Sequence, residues 1–180
     1  TLIDKYQPDT ILTFGPDGRL YFTDPADYLP NDRRPGRLFV LEPDGTGDLL
    51  EEIPDAYANG IVAEPDGSIV WGESYERGVY RKRPGRPSEQ IAQLPAGHIP
   101  DGLKIAHNGD LWITTVASGG VDHIRKDGTP VDFLEVGGTI LNCAFGKGGK
   151  LFCCDMGPFD TSGAAMSGRL VEVELGVEGM

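Results

Sequence analysis

The sequence predicts an all-β protein, a β-propeller of four-stranded blades, and three observations carry this prediction. A sequence segment that reads as two short strands joined by a glycine-bearing turn recurs four times. The turn glycines are Gly18, Gly67, Gly109 and Gly149, at intervals of 49, 42 and 40 residues. This spacing is close to the length of a propeller blade. The 26 glycines and 14 prolines indicate many short strands joined by tight turns. No segment of useful length has the 3.6-residue hydrophobic period of a helix.

Each repeat contains two hairpins. The first turns at a Pro-Asp-Gly or Asn-Gly sequence, where glycine adopts the positive φ that a tight turn needs. The next strand alternates in hydrophobicity, as at Leu20 and Phe22. Third strands are predicted over residues 37–41, 78–81, 121–125 and 169–173, and outer strands over residues 49–53, 91–94 and 131–136. Four strands of this kind form one blade.

The repeats divide one predicted domain, residues 1–180, into blade units of about 10–56, 57–98, 99–139 and 140–176. Residues 1–7 read as the outer strand of an earlier blade. We therefore interpret the sequence as the C-terminal part of a longer propeller, with about four blades present and the N-terminal blades lacking.

The amino-acid composition limits the classes of binding partner and the cellular compartment that we expect. Lys and Arg number 16 and Asp and Glu number 28, which gives a net charge of −12. This charge disfavours nucleic acid and anionic membranes, so a cation or a small molecule is the expected partner. No apolar run of about 18 residues predicts a membrane span. We expect a cytoplasmic protein; a periplasmic or secreted one is the alternative, and the oligomeric state is open.

The three cysteines are an odd number, at Cys143, Cys153 and Cys154. The last two are adjacent on a predicted strand, where neighbouring side chains point to opposite faces. We therefore expect buried structural thiols in a reducing compartment rather than a disulfide framework.

One position of the repeat carries oxygen-bearing side chains. The residue that opens the first strand is Thr10, Asn59, Asp101 or Asn142. Because the innermost strands of a propeller line its central channel, these residues are predicted to lie at one channel mouth. Asn and Asp oxygens, without His or Cys at these positions, suit a hard cation such as Ca²⁺ or Mg²⁺. The alternative is that Asn or Asp before Gly is an ordinary turn element.

Other candidates are single residues. His98 lies three residues before Asp101 and could act as a general base or hold a water; the alternative is an inert surface histidine. Glu73 is expected to pair with a basic group such as Arg77 or Arg81 in a structural role. The sequence contains no Gly-x-Ser-x-Gly elbow, phosphate-binding glycine loop or His-Glu-x-x-His motif.

Several stretches resemble one family. YANGIVAEPDG, HIPDGLKIAHNGDLWIT, ILNCAFGKGGKLF and GRLVEVELGVEGM are similar to the gluconolactonase, regucalcin and luciferin-regenerating enzyme family. The resemblance implies a six-bladed propeller that binds one divalent metal in its channel and hydrolyses sugar lactones or related esters. By similarity, Asn59 and Asp101 are two of the three expected metal ligands, and Asp101 is also the candidate catalytic residue. Ca²⁺ is the favoured cation, with Mg²⁺, Mn²⁺ or Zn²⁺ as alternatives.

The sequence departs from the family pattern at two places. The expected third ligand is a Glu in a Glu-Gly-Pro motif, and this chain has no such motif. Relatives also carry a longer loop whose Asn contacts substrate, and Thr10 stands in its place. We take Thr10, His98 and Asn142 as candidate substrate-binding residues.

The predicted function is metal-dependent hydrolysis of small lactones or sugar lactones, with a small-molecule lactone or sugar-derived substrate as partner. Two alternatives stay open. One is a calcium- or sugar-binding propeller without turnover, and the other is an inactive truncated copy, in which missing blades would leave open sheet edges.

Overall fold

The structure is a computed structural model that describes residues 11–157 and 168–180. Its described part contains fifteen strands, and none of its residues forms a helix that could cross a membrane. Thr10 and the strand predicted over residues 1–7 lie outside the described residues. The chain divides into two compact units, Thr1–Gln93 and Leu94–Met180.

The first unit contains two antiparallel sheets, each with its four strands in chain order. The strands of the first sheet are β1 (Leu12–Phe14), β2 (Leu20–Asp24), β3 (Gly36–Leu41) and β4 (Gly47–Ile53). Those of the second sheet are β5 (Ala58–Ala63), β6 (Ile69–Glu73), β7 (Gly78–Lys82) and β8 (Ser88–Gln93).

The second unit has the same plan. Its first sheet, the third of the chain, contains β9 (Pro100–Ile105), β10 (Leu111–Thr115), β11 (Gly120–Ile124) and β12 (Pro130–Glu135). The fourth sheet contains β13 (Ile140–Gly146), β14 (Lys150–Asp155) and β15 (Arg169–Glu174) in its described part. Within residues 11–157 and 168–180, every predicted third and outer strand overlaps a strand of the structure, so the all-β fold with blade-like sheets is confirmed.

The hairpin turns have the backbone conformation that the sequence predicts. Gly18 has a φ of +79° and Gly67 a φ of +81°. Positive φ is the left-handed region of backbone conformation. Residues with a side chain avoid this region, whereas glycine adopts it without steric cost. The turn aspartates add to the geometry, because the Asp66 carboxylate accepts a hydrogen bond of 2.9 Å from the Ser68 N–H.

Trp71 is the largest side chain in the core of the first unit and is fully buried. It stacks on Tyr80 with ring centroids 4.6 Å apart, and its indole N–H donates to Ser88 Oγ at 3.0 Å. A buried indole thus has both an aromatic neighbour and a hydrogen-bond acceptor. The surrounding cluster comprises Tyr21, Leu38, Val40, Ala58, Ile61 and Ile69.

The core of the second unit joins its two sheets to the C-terminal residues. Gly179 forms a β-bridge with Ala106, and the Met180 N–H donates to the Ile105 carbonyl at 3.1 Å. These bonds pair the C-terminal segment with the residues that end β9. The apolar cluster beside them comprises Trp112, Val121, Ile140, Cys143, Leu151 and Cys153.

The three cysteines are free thiols in different environments. Cys143 and Cys153 lie directly opposite each other on β13 and β14 and are buried. Burial raises the pKa of the Cys143 thiol to about 12 and that of Cys153 to about 11. Cys154 is exposed, in contrast to the buried position expected from the sequence.

We predict that only Cys154 reacts rapidly with a disulfide reagent such as DTNB at pH 8. The thiolate is the reactive species, and both buried thiols are inaccessible and protonated at this pH. Absorbance should report one fast thiol per chain in the native protein and three in denaturant, and Cys154→Ser should remove the fast reaction. Rapid labelling of Cys143 or Cys153 in native protein would contradict the packing of the fourth sheet.

Candidate functional site

The predicted site residues lie where the first strand of a sheet begins. Asn59 is the second residue of β5, Asp101 the second residue of β9 and Asn142 the third residue of β13. The structure therefore gives Asn59 and Asp101 equivalent positions within their own sheets, and Asn142 lies one position further along its strand. Thr10, the fourth member of the set, lies outside the described residues.

The same three strands are irregular at this point. The register of β5 against β6 shifts between Ala58 and Ile61, a span that contains Asn59. The register of β9 against β10 shifts in the span that contains Asp101, and that of β13 shifts just before Asn142. A β-bulge bends the strand and redirects its side chains, and bulges are frequent beside active sites. The bulge thus separates Asn59 and Asp101 from the regular alternation of the sheet, whereas Asn142 follows the bulge and pairs with Cys154.

Asn59 is half-buried in the first unit and is held by one hydrogen bond. Its Nδ2 donates to Ser74 Oγ at 3.2 Å, and the Ser74 N–H donates to the Tyr57 carbonyl at 3.0 Å. Because the bond to Ser74 uses the amide nitrogen, it leaves Oδ1 for another interaction. A side-chain amide oxygen in this state is a suitable ligand for a hard cation.

Glu73 holds the backbone around Asn59 and has a positioning role. It is buried, and its Oε1 accepts hydrogen bonds from the N–H groups of Tyr57 at 3.0 Å and Tyr75 at 2.9 Å. Of the basic groups expected as partners of Glu73, Arg77 or Arg81, the structure pairs Arg81 with Glu64.

Asp155 has the corresponding role in the fourth sheet. Its Oδ1 accepts hydrogen bonds from the N–H groups of Thr139 and Gly157, and its Oδ2 accepts one from Arg169 Nε at 2.7 Å. A carboxylate at the end of the second strand therefore anchors the chain that leads into the first strand in both sheets. These carboxylates are occupied by backbone and arginine donors, so we assign them to structure.

Asp101 is half-buried and is followed by a glycine that the packing requires. The Gly102 N–H donates to Thr114 Oγ1 at 2.7 Å, which fixes the bulge to β10. A Cβ atom on Gly102 would lie 2.8 Å from Asn142 Cα, closer than side chains allow. The close approach of β13 explains why a residue without a side chain follows Asp101.

Asn142 differs from Asn59 because its amide oxygen is already engaged. Oδ1 accepts hydrogen bonds from the Cys143 N–H at 2.9 Å and from Lys104 Nζ at 3.3 Å. Only Nδ2 of Asn142 is left by these two bonds to contact a substrate. The structure therefore supports Asn142 as a donor rather than as a metal ligand.

Lys104 is a candidate site residue that the sequence analysis did not identify. Its ammonium group lies beside Asn142 and donates to the Leu103 carbonyl at 3.0 Å. Burial lowers the pKa of Lys104 from its usual value. The signal in the sequence was a lysine between the apolar residues Leu103 and Ile105 of a first strand.

The structure places His98 over the outer half of the third sheet. Its Nδ1 lies 2.8 Å from Asp122 Oδ2 on β11, and its ring lies 4.6 Å from the Phe133 ring on β12. Asp101 lies on β9, two strands away from β11, which corresponds to about 10 Å across the sheet. Burial raises the pKa of Asp122, and the bond to His98 opposes this change. The contacts of His98 thus favour a structural role.

The donor chemistry of the site fits a hard cation only if amide oxygens take part. Within residues 11–157 and 168–180, no group of three or more His, Cys, Asp or Glu side chains could hold a metal ion. Asn59 and Asp101 each carry a side-chain oxygen on a bulged strand of their own unit. Oxygen atoms of this kind suit Ca²⁺ or Mg²⁺ better than a thiophilic metal.

Comparison with solved structures identifies the fold. The chain superposes on luciferin-regenerating enzyme with a TM-score of 0.81 and 18% identity over 100% of this chain and 66% of that chain. Regucalcin, a calcium-binding protein from Agrobacterium tumefaciens, superposes with a TM-score of 0.79 and 18% identity over 96% of this chain and 64% of that chain. A gluconolactonase from Xanthomonas campestris superposes with a TM-score of 0.64 and 26% identity over 79% of this chain and 52% of that chain. The chain spans about half to two thirds of the length of these structures.

Sequence comparison gives the family. No curated protein matches the chain significantly. Residues 12–153 match the family described as the SMP-30/gluconolactonase/LRE-like region, and they include both Asn59 and Asp101. Since this match covers most of the sequence, the chain belongs to the SMP-30/gluconolactonase/LRE-like family.

Proposed function

We propose that the protein is a hydrolase of small lactones or sugar lactones that uses a divalent cation, with Asn59 and Asp101 as cation ligands. The observation that carries the proposal is the state of Asn59. Its amide nitrogen is fixed by Ser74 while Oδ1 is left for a ligand, and Asp101 has the equivalent bulged position in its own sheet. Membership of the family supports the lactone as substrate class.

In the proposed reaction, Asn59 and Asp101 have different roles. Lactone hydrolysis adds the oxygen of water to the carbonyl carbon, breaks the ring C–O bond and delivers a proton to the departing alkoxide, which gives a hydroxy acid. A bound divalent cation supplies Lewis acidity toward the carbonyl oxygen. Asp101 is the candidate acceptor for the proton of the attacking water as well as a ligand. Asn59 is a neutral ligand that Ser74 holds in one orientation.

We favour Ca²⁺ as the cation. Amide and carboxylate oxygens are the ligands that Ca²⁺ prefers, and Mg²⁺ shares this preference with stricter geometry. The structurally similar regucalcin is described as a calcium-binding protein, which supports the choice. Mn²⁺ and Zn²⁺ are alternatives that a direct binding measurement would separate.

A binding protein without turnover is the second candidate. Two observations favour it: His98 is bonded to Asp122 over the outer strands, and the amide oxygen of Asn142 is occupied by Lys104. Both reduce the number of polar groups left for catalysis.

The test is a panel of aldonolactones and simple aliphatic lactones, assayed by acid release with the metal-loaded protein. We expect hydrolysis that stops after treatment with a chelator and returns when Ca²⁺ is restored, because the cation supplies the Lewis acid. Calorimetry on the same samples would measure Ca²⁺ binding. Full activity after exhaustive chelation would contradict the mechanism, and Ca²⁺ binding without turnover would establish the binding protein instead.

A further inference from the structure

A long loop of the first unit is docked onto the residues that surround Asn59. Residues 25–35 connect β2 to β3. The Leu29 N–H donates to Tyr75 Oη at 2.9 Å, and Arg33 forms an ion pair of 2.6 Å with Glu76. Tyr75 and Glu76 directly follow Ser74, the residue that orients Asn59. The loop that follows β2 thus lies at the end of the second sheet that carries Asn59, the candidate metal ligand.

Three tyrosines form the contact between the loop and the second sheet. Tyr28 lies edge-on to Tyr57 at 5.0 Å and stacks on Tyr75 at 5.2 Å between ring centroids. Tyr57 and Tyr75 lie 5.8 Å apart. The Arg33 guanidinium lies 4.7 Å over the Tyr75 ring. Aromatic and cation–π contacts of these lengths are favourable and fix the rings relative to one another.

The members of this cluster differ in exposure. Tyr57 and Tyr75 are buried, whereas Tyr28 is 47% exposed. A single exposed aromatic residue needs no explanation by itself. Tyr28, however, is held by two aromatic neighbours, and the residue that follows it is bonded to Tyr75. The loop therefore presents to solvent an aromatic ring that two neighbouring rings hold in place.

The surroundings of Tyr28 indicate the chemistry of a ligand. Asp27, Asn31, Asp32 and Arg34 are exposed on the same loop. Ligand sites combine aromatic surfaces with a few polar groups that fix orientation. A saturated sugar ring matches both features, since its C–H groups contact an aromatic face while its hydroxyl groups bond to polar side chains. A purely apolar ligand would leave the polar side chains unused.

We propose that Tyr28 is a ring-stacking platform that binds the sugar ring of the substrate and so sets KM. The inference rests on the proposed lactonase function but concerns a separate contact. Tyr57, Tyr75 and Arg33 are positioning residues for this ring. No bond of the substrate is made or broken at Tyr28, so the platform should affect binding and leave the chemical step unchanged.

The experiment compares Tyr28→Ala and Tyr28→Phe with the parent protein. With glucono-1,5-lactone as substrate, we expect Tyr28→Ala to raise KM about 3–10-fold without a change in kcat, the range given by aromatic contact energies. Tyr28→Phe keeps the ring and should keep the parent KM. Phe14→Ala is the matched control, because Phe14 is an exposed aromatic residue of the same sheet, on β1, outside the docked loop.

A second readout separates this inference from the proposed function. Saturation-transfer NMR with 1,5-anhydroglucitol, a sugar ring without the lactone carbonyl, is recorded in the presence of chelator. Signal in the parent protein and in Tyr28→Phe, but not in Tyr28→Ala, would support the platform even if no lactone is hydrolysed. Lactone hydrolysis with an unchanged KM in Tyr28→Ala would overturn the platform alone. Absence of signal in the parent protein would also overturn it.

Discussion

Replacing Asp101 with alanine is expected to abolish lactone hydrolysis and to weaken cation binding in the same protein. The substitution removes a charged oxygen ligand and the candidate acceptor for the proton of water, so both functions should fail together. Hydrolysis rates and Ca²⁺ calorimetry on the purified protein measure the two effects. Asp132→Ala is the matched control, since Asp132 is exposed on β12 of the same sheet and the change in charge is identical.

Two further variants test the residues near Asn59 and Asp101. Ser74→Ala removes the bond that orients Asn59 and should lower Ca²⁺ affinity about 10–100-fold, as for other residues that support a metal ligand. His98→Ala should reduce turnover by less than the about 10²-fold that marks the loss of a general base, because His98 contacts the outer strands. Unchanged activity in Asp101→Ala would exclude the mechanism, whereas Ca²⁺ binding without turnover in the parent protein would favour the binding protein.

Breaking the buried ion pair between Arg81 and Glu64 is expected to have the largest effect on stability. Arg81 Nε lies 2.6 Å from Glu64 Oε2, and a second bond of 3.2 Å joins Nη2 to Oε1. Their side chains are 7% and 2% exposed. Arg81→Met keeps the apolar stem but leaves a buried carboxylate without its arginine, which should cost about 3–5 kcal/mol in urea denaturation.

The matched control is the exposed ion pair between Arg83 and Glu89 in the same sheet, whose side chains are about half exposed. Arg83→Met should change the free energy of unfolding by less than about 1 kcal/mol, because solvent screens such pairs. The double variant Arg81→Met, Glu64→Leu should recover much of the loss, since no buried charge is left. Equal effects of Arg81→Met and Arg83→Met would show that the pair does not have the burial described here.

The sequence by itself determined the strands and turns. The glycines at Gly18 and Gly67 specify hairpins through their own backbone freedom, and the apolar residues around them form strands by alternation. Because these are local properties of the chain, each repeat predicted from the sequence corresponds to one sheet of the structure. The same local periodicity placed Asn59 and Asp101 at the start of a first strand, as the structure has them.

The environment of each candidate residue was decided by the tertiary structure. His98 is three residues from Asp101 in sequence, but its partner Asp122 lies 24 residues away and holds it over β11. The amide oxygen of Asn142 is occupied by Lys104, a residue of another strand. Nothing in the spacing of these residues encodes such contacts, since they depend on how two strands or two sheets pack.

The docked loop shows the same limit. Tyr28 and Arg33 meet Tyr75 and Glu76 across more than 40 positions of sequence. Ring stacking and ion pairing act only when the chain has brought distant residues within a few ångströms, so their geometry follows from packing rather than from local pattern. Local periodicity thus determined which residues open the strands, and packing between strands and sheets decided which polar atoms are left for a ligand.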